Sequence, residues 1–126
     1  MLTADEVVTR YTREVWSAGK VDMVRELCAD PVTRHEAGSV RQLSHDEQVA
    51  RVAAVLARAT PSFDNIIQAS DGTFVTAVYQ LALTLPPEEG SDAPRHKDGC
   101  GIEVFKVVDG RIAEVWNHPM MDGAWG

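Results

Sequence analysis

The sequence predicts a single α+β domain, and three observations lead to this fold class. The first half carries apolar residues at helical spacing, whereas the second half alternates apolar and polar residues with a period of two. Helical and strand patterns follow one another instead of alternating, which is the order of an α+β protein. The length of 126 residues is ordinary for one domain, so residues 1–126 are assigned to a single unit.

The composition excludes several classes of function. The chain has 44% hydrophobic and 25% charged residues, which is a globular balance. A net charge of −7 without a basic stripe argues against nucleic acids and anionic membranes as partners. No apolar run is long enough to span a membrane, and residues 1–6 lack the pattern of a secretory signal. Because Cys28 and Cys100 stand alone, we expect reduced thiols and a cytoplasmic location.

Two helices are predicted at the start of the chain. Thr3 and Glu6 match a capping box that opens the first helix, and Gly19 matches its C-terminal cap. A short second helix is predicted over residues 21–28, and the Asp30-Pro31 step is expected to break it.

A short strand over residues 31–35 and a loop at Gly38 are predicted next. Ser44 and Glu47 form a second capping box, which opens a third helix that Pro61 closes. The buried stripe of this helix is expected to consist of Val49, Val52, Ala53 and Leu56.

Four strands in two hairpins complete the predicted fold. Asp71-Gly72 and Asp109-Gly110 are strong hairpin-turn signals. The strands are predicted over residues 63–69, 73–85, 97–108 and 111–118, with an acidic loop over 86–94 and a short tail over 120–126.

Three stretches of the chain carry a family pattern: residues 10–19, residues 29–38 and residues 101–116, the last reading GIEVFKVVDGRIAEVW. Together they resemble the nuclear-transport-factor-2-like (NTF2-like) superfamily, and within it the SnoaL-like polyketide cyclases and the steroid Δ5-3-ketoisomerases. The resemblance implies a cone-shaped fold, in which a curved antiparallel sheet wraps three N-terminal helices and encloses a pocket. It also implies a homodimer that packs through the outer face of the sheet.

The resemblance points to two polar residues in the first half. Tyr11 follows Arg10 in the first helix, as does the tyrosine that donates a hydrogen bond to the oxyanion in the ketoisomerases. Aligned on Gly38, His35 falls where those enzymes carry their general-base aspartate. A shift of one residue would offer Glu36 instead, and strand alternation lets only one of the two face the pocket.

Two further candidates lie in the last hairpin. Glu103 falls where the ketoisomerases place a protonated aspartate, and burial would raise its pKa. Counting from the turn pairs Val108 with Arg111 and Glu103 with Trp116, so an inward tryptophan would bring Glu103 inside. His118 shares the face of Trp116 by the period of two, and the limonene-epoxide-hydrolase branch has a catalytic aspartate at a comparable place.

The pocket wall is expected to be mainly apolar, and neither cofactor nor metal is expected. The chain lacks GxGxxG, P-loop and GxSxG motifs. His35, Glu103 and His118 could converge as metal ligands, but no local ligand motif supports this. The expected wall residues are Trp16, Phe74, Val78, Gln80, Phe105, Trp116 and Met120, the last replacing an aspartate of many SnoaL-like cyclases.

The leading hypothesis is a cofactor-independent enzyme that performs acid–base chemistry on an apolar oxygenated small molecule, such as a polyketide, terpenoid or steroid-like compound. The reaction would be isomerisation, cyclisation, dehydration or epoxide opening. His35 would move the proton with His118 as its partner, while Tyr11 and Glu103 would stabilise the oxyanion. The alternatives are a non-catalytic binding module with the same pocket and a dimeric interaction domain whose cone is filled by side chains. The tail either closes the pocket or packs on a second chain.

Overall fold

In the computed structural model, which describes residues 1–126, most of the helical structure precedes the long strands of the sheet. Helix α1 (Ala4–Arg10) continues into a π-helical segment (Tyr11–Ser17), followed by a 3₁₀ turn (Val21–Met23), α2 (Val24–Leu27) and, after two strands, α3 (His45–Leu56). Reciprocal hydrogen bonds between Thr3 and Glu6 confirm the first capping box, and those between Ser44 and Glu47 confirm the second. None of the helices is long and apolar enough to cross a membrane.

Seven strands form one mixed sheet. They are β1 (Cys28–Glu36), β2 (Ser39–Leu43), β3 (Thr60–Ser70), β4 (Phe74–Leu85), β5 (Arg95–Val108), β6 (Arg111–Asn117) and β7 (Met121–Asp122). Their order is β2-β1-β6-β5-β4-β3, and β7 pairs with β5. The α+β class is confirmed, with the difference that β1 runs parallel to β6 while the other pairs are antiparallel.

Of the two prolines expected to end helices, Pro31 lies in a strand, as the prediction over residues 31–35 has it, whereas Pro61 lies inside a strand that begins beyond the end of α3 at Leu56. Pro31 sits in β1, where the ladder to β6 is interrupted between Cys28 and Thr33, so its missing N–H breaks no pairing. Pro61 sits near the start of β3, which is an edge strand of the sheet. The predicted loop after Gly38 is in fact a hairpin that adds β2.

The β5–β6 hairpin contains a bulge that shifts its register. Asp109 and Gly110 form the turn with positive φ values of 51° and 75°, and Val108 pairs with Arg111 as predicted. The register then slips beyond Val107, which leaves Ala113 without a partner.

This slip changes the pairing partners of two candidate residues. Glu103 lies opposite Asn117, and Trp116 lies opposite Val104. The predicted pairing of Glu103 with Trp116 is therefore wrong, and the two side chains project from opposite faces of the sheet.

The hydrophobic core fills the space between the helices and the inner face of the sheet. Val7, Val15, Val24 and Val52 of the helical part are fully buried and belong to one cluster with strand residues such as Ile112. In α3, the polar residue Gln48 is buried, although the predicted stripe did not include it. Ala53, which that stripe did include, faces solvent instead. The core does not fill the whole cone, because a cavity remains beside Phe105.

Candidate active site

A cavity of about 400 Å³ lies between the helices and the inner face of the sheet. Its wall is mainly apolar, with a few polar side chains between. The apolar lining residues are Trp16, Val55, Ala59, Pro61, Phe63, Ala77, Leu81, Leu83, Phe105 and Met120. The polar ones are Tyr11, Thr12, Arg34, Arg51, Arg58, Asn65, Tyr79, Glu103 and Asn117. Such a cavity has the volume and composition of a small-molecule site.

Tyr11 is held at the cavity by a chain of hydrogen bonds from α3. Arg51 Nε donates to Gln48 Oε1 at 3.1 Å, and Gln48 Nε2 donates to the Tyr11 hydroxyl at 2.9 Å. Burial raises the pKa of Tyr11 to about 12, so its hydroxyl keeps its proton near neutral pH. The phenol can therefore donate that proton to a ligand oxygen.

The π-helical segment explains why Tyr11 and Trp16 both reach the cavity. Its hydrogen bonds run from one residue to the fifth before it, as between Ala18 N and Arg13 O at 2.9 Å. This wider turn brings residues five apart onto one side, and both rings line the same space.

Glu103 is the carboxyl group of the cavity. It is half-buried on the inner face of β5, between Ala77 of β4 and Asn117 of β6. Burial raises its pKa, and this outweighs the opposing effect of Arg34 and Arg51. A carboxyl group of this kind can act as an acid or a base.

Asn117 lies directly opposite Glu103 and also lines the cavity. Its Oδ1 is buried and has no hydrogen-bond partner in the chain. Side chains in directly opposed positions of an antiparallel pair lie about 5 Å apart at Cβ. Glu103 and Asn117 are therefore neighbours on the inner face of the sheet.

The arginines of the cavity differ in their partners. Arg34 is buried and its Nε donates to Glu36 Oε1 at 3.3 Å. The same oxygen accepts from Arg41 at 2.7 Å. Arg51 instead lies over the ring of Trp16, with 5.6 Å between the guanidinium carbon and the ring centroid.

Five of the residues expected at the site do line the cavity, and six do not. Those present are Tyr11, Trp16, Glu103, Phe105 and Met120. Those absent from the wall are His35, Phe74, Val78, Gln80, Trp116 and His118.

His35 lies on the outer face of the sheet because the neighbouring Arg34 points inward. Its Nε2 donates to Glu114 at 3.1 Å, and its ring stacks on Trp116 with centroids 4.8 Å apart. Glu36, the alternative one residue later, is held by arginines and does not line the cavity. Neither residue offered for the general-base position therefore reaches the cavity.

His118 has no free ring nitrogen. Its Nε2 accepts from the backbone N–H of Ile102 at 3.3 Å, and its Nδ1 donates to the carbonyl of Pro119 at 2.8 Å. The bulge in β6 places Trp116 on the outer face, and His118 does not line the cavity either. The three residues considered as metal ligands do not form a common cluster.

The residues of β4 that were expected to line the cavity lie on the opposite face of the strand. Phe74, Val78 and Gln80 alternate with the inward residues, which are Val75, Ala77, Tyr79 and Leu81. Both faces of this strand carry apolar residues, so periodicity alone does not separate inside from outside.

The C-terminal tail packs against its own sheet at the cavity. Met120 lines the cavity, and β7 pairs with β5 at Gly99 and Cys100. Trp125 Nε1 donates to the carbonyl of Tyr79 at 2.9 Å. The tail therefore contributes to the wall within one chain.

Sequence reasoning missed several polar residues of the site. Gln48 and Arg51 are three residues apart in α3 and share one side of the helix, whereas the stripe predicted for this helix consists of apolar residues alone. Arg34 lies two residues after the buried Val32 and therefore shares its inward face of β1. Both signals were available in the spacing.

Comparisons with known proteins agree with this architecture. The family model for SnoaL-like polyketide cyclases matches residues 6–121. No match was found among curated proteins.

Among solved structures, a proposed polyketide cyclase from Acidithiobacillus ferrooxidans superposes with a TM-score of 0.74 at 24% identity, covering 89% of this chain and 84% of the other. A proposed polyketide cyclase from Pseudomonas putida gives 0.75 at 20% identity, covering 94% and 92%. An LEH-like epoxide hydrolase from M. tuberculosis gives 0.74 at 18% identity, covering 91% and 76%. These likenesses show a shared NTF2-like fold, and the match over nearly the whole sequence shows that the chain belongs to the SnoaL-like polyketide cyclase family.

Proposed function

We propose that this protein is a cofactor-independent enzyme that moves a proton on an apolar, oxygenated small molecule bound in the cavity. The observation that carries the proposal is Glu103, a carboxyl group that lines an apolar cavity and has a raised pKa. A raised pKa makes a carboxylate a stronger base and its acid form available nearer neutral pH. Glu103 thus takes the proton-transferring role that the sequence suggested for His35.

The reaction that suits this arrangement is enolisation of a carbonyl compound. The Glu103 carboxylate removes a proton from the carbon next to the carbonyl group, and the electron pair moves to the carbonyl oxygen. Tyr11, neutral because burial raises its pKa to about 12, donates a hydrogen bond to that oxygen. Returning the proton to another carbon gives isomerisation, whereas attack of the enolate on a second carbonyl gives cyclisation.

Epoxide opening has less support from the geometry. The M. tuberculosis protein shares the fold, but in this chain both ring nitrogens of His118 are engaged with the backbone. Glu103 is the single carboxyl group in the cavity wall. Carbonyl chemistry needs one such group, whereas activating water and protonating an epoxide together call for more than one.

Hydrogen–deuterium exchange of 2-tetralone in D₂O, followed by proton NMR, tests the proposal. This ketone is flat, apolar and has acidic protons beside its carbonyl group. We expect the wild type to accelerate exchange and Glu103→Gln to lose the acceleration. Glu89→Gln, the same change in the exposed loop between β4 and β5, should exchange like the wild type.

Two results would refute the catalytic role. Exchange that is equally fast with Glu103→Gln would show that another group moves the proton. Binding of 2-tetralone without any exchange in the wild type would favour the non-catalytic binding module, which uses the same cavity. The interaction-domain alternative requires a filled cone, and the cavity of about 400 Å³ gives it less support.

We also propose that two copies of the chain pack through the outer face of the sheet. Support comes from aromatic and aliphatic side chains that remain exposed there, since Phe74, Ile102 and Trp116 are 41%, 37% and 36% exposed. Contiguous apolar surface of this kind on a soluble protein marks an interaction site.

A further inference from the structure

Arg51 is a cationic wall residue of the cavity without an acidic partner. Its Nε donates to Gln48, and its guanidinium lies over Trp16. No carboxylate of the chain lies within 4.0 Å of it in an ion pair. Its terminal Nη1 and Nη2 groups therefore remain available to a ligand.

The other charges of the cavity leave this cation uncompensated. Arg34 is paired with Glu36, which also pairs with Arg41, so this carboxylate has no charge to spare for Arg51. Burial favours the neutral form of Glu103, which makes it a weak counter-ion for Arg51. Holding an unpaired guanidinium away from water costs free energy, and burial lowers the pKa of Arg51 accordingly. A bound anion would offset that cost.

A second cationic side chain, Arg58, lines the same cavity nearer to solvent. Gln48 and Arg51 lie on one face of α3, and Arg58 lies in the turn directly after the helix, with Gln48 buried and Arg58 exposed. Arg58 Nε donates to the carbonyl of Ala54 at 3.3 Å, and its guanidinium takes part in no ion pair. An anion that approaches the mouth meets Arg58 first and Arg51 further in.

We propose that the ligand of this cavity is a carboxylic acid with a flat apolar body, whose carboxylate is bound by Arg51. A planar guanidinium fork matches a carboxylate in two parallel hydrogen bonds. Trp16 on one face and Gln48 at Nε fix the plane of the fork. This proposal specifies the substrate class of the proposed function. It rests on that function only in that both use the same cavity.

The apolar wall argues for a monoanion with a hydrocarbon body. Phe63, Leu81 and Leu83 line the space beside the polar side chains and offer no hydrogen bonds from their side chains. A dianion would place a second charge against these apolar side chains, where burying an unpaired charge is costly. A carboxylate pairs with one guanidinium and leaves the rest of the ligand to the apolar wall.

Isothermal titration calorimetry with 2-naphthoate and its neutral isostere 2-naphthamide tests the proposal. We expect the wild type to bind 2-naphthoate at least about tenfold more tightly than 2-naphthamide, as a charge-assisted contact predicts. In Arg51→Gln this preference should fall to less than about twofold. Arg51→Lys should keep part of it, because the charge remains without the fork.

A matched control and a fold check accompany the titration. Arg13→Gln removes an exposed arginine outside the cavity and should leave the preference unchanged. Circular dichroism and thermal unfolding show whether Arg51→Gln is folded. If it is not, the comparison uses Arg51→Lys, whose preference must then lie below that of the wild type.

Equal affinity of the wild type for both probes would overturn the proposal, as would binding of neither. A preference that is unchanged in Arg51→Gln, or in Arg51→Lys where that variant stands in, would overturn it too. Failure of the catalytic proposal gives a different pattern. If the wild type prefers the carboxylate through Arg51 but does not exchange the protons of 2-tetralone, the carboxylate site is supported and the catalytic proposal is refuted. If the wild type exchanges the protons of 2-tetralone but shows no carboxylate preference, the catalytic proposal is supported and the carboxylate site is refuted.

Discussion

The hydroxyl of Tyr11 accepts a hydrogen bond of 2.9 Å from the side-chain amide of Gln48. The orientation of that amide is fixed, because Arg51 Nε donates to its Oε1 and so turns the NH₂ group toward Tyr11. Gln48 therefore does not use the phenolic proton. The proton remains free for an oxygen atom of a ligand, and α3 thereby positions a hydrogen-bond donor that belongs to the first helix.

Replacing Tyr11 with Phe should weaken binding of 2-naphthol by about tenfold, which corresponds to about 1.4 kcal/mol. The reason is the loss of the donor to the ligand oxygen. The same change should lower the free energy of unfolding by about 1–2 kcal/mol, because the buried amide of Gln48 loses its partner. Calorimetric titration and urea denaturation measure the two effects.

Tyr79→Phe is the matched control for this experiment. Tyr79 lines the same cavity, yet its hydroxyl makes no hydrogen bond with the chain. We expect little change in the free energy of unfolding for this variant, because its hydroxyl has no partner in the chain to lose. Unchanged binding of 2-naphthol by Tyr11→Phe would remove Tyr11 from the site.

Glu103 should make the stability of the wild type fall as pH rises above the ordinary glutamate pKa of 4.5. Below that value the carboxyl is protonated in both states and has no effect. Above it the unfolded chain releases the proton while the folded chain retains it. The loss is at most about 1.4 kcal/mol per pH unit. It ends once the folded state ionises at the raised pKa.

The titratable groups that act on Glu103 are Arg34 of β1, Arg51 of α3 and His118 after β6, and each opposes the effect of burial. Because burial outweighs them, Glu103→Gln should gain stability relative to the wild type as pH increases. Urea denaturation at several pH values from 4.5 upward measures the difference. Glu89→Gln, in an exposed loop, should show no such trend. A difference between Glu103→Gln and the wild type that is constant with pH would contradict the prediction.

Local chemistry made the helix starts and the hairpin turns predictable. The capping boxes at Thr3 and Ser44 involve residues three apart, so the sequence contains the whole interaction. The turn at Asp109 and Gly110 likewise depends on two adjacent residues that tolerate positive φ. The NTF2-like resemblance added what local patterns lack, namely that the sheet encloses a pocket.

The face of the sheet on which each side chain lies was less predictable, because one unpaired residue in a strand moves every side chain beyond it to the opposite face. Ala113 is the extra residue of the β5–β6 bulge, and no turn or propensity signal marks it. The inward position of Glu103 was expected from its pairing with Trp116, and that reason is wrong although Glu103 does line the cavity. Similarly, no local sequence pattern predicts that α1 widens into a π-helical segment at Tyr11.

Replacing Trp116 with Glu should separate the proposed dimer into monomers. The substitution puts a charge beside the exposed ring of Phe74 on the outer face, where desolvating it in an interface is costly. Sedimentation velocity at micromolar concentration compares the two proteins. Ala54→Glu adds the same charge to an exposed position of α3 and should sediment like the wild type. A wild type that sediments as a monomer would refute the proposed interface.

Gly101 makes room for the ring of Tyr79, and this contact should be visible in stability. The two residues are directly paired, and a Cβ on Gly101 would overlap the hydroxyl end of that ring. We therefore expect Gly101→Ala to lower the free energy of unfolding by about 1–3 kcal/mol, as overpacking does. Gly99→Ala meets only the flexible side chain of Met120 and should cost less. If the overlap is the cause, adding Tyr79→Leu to Gly101→Ala should restore part of the stability relative to Tyr79→Leu alone. An equal loss for Gly101→Ala with and without the ring would point instead to the backbone.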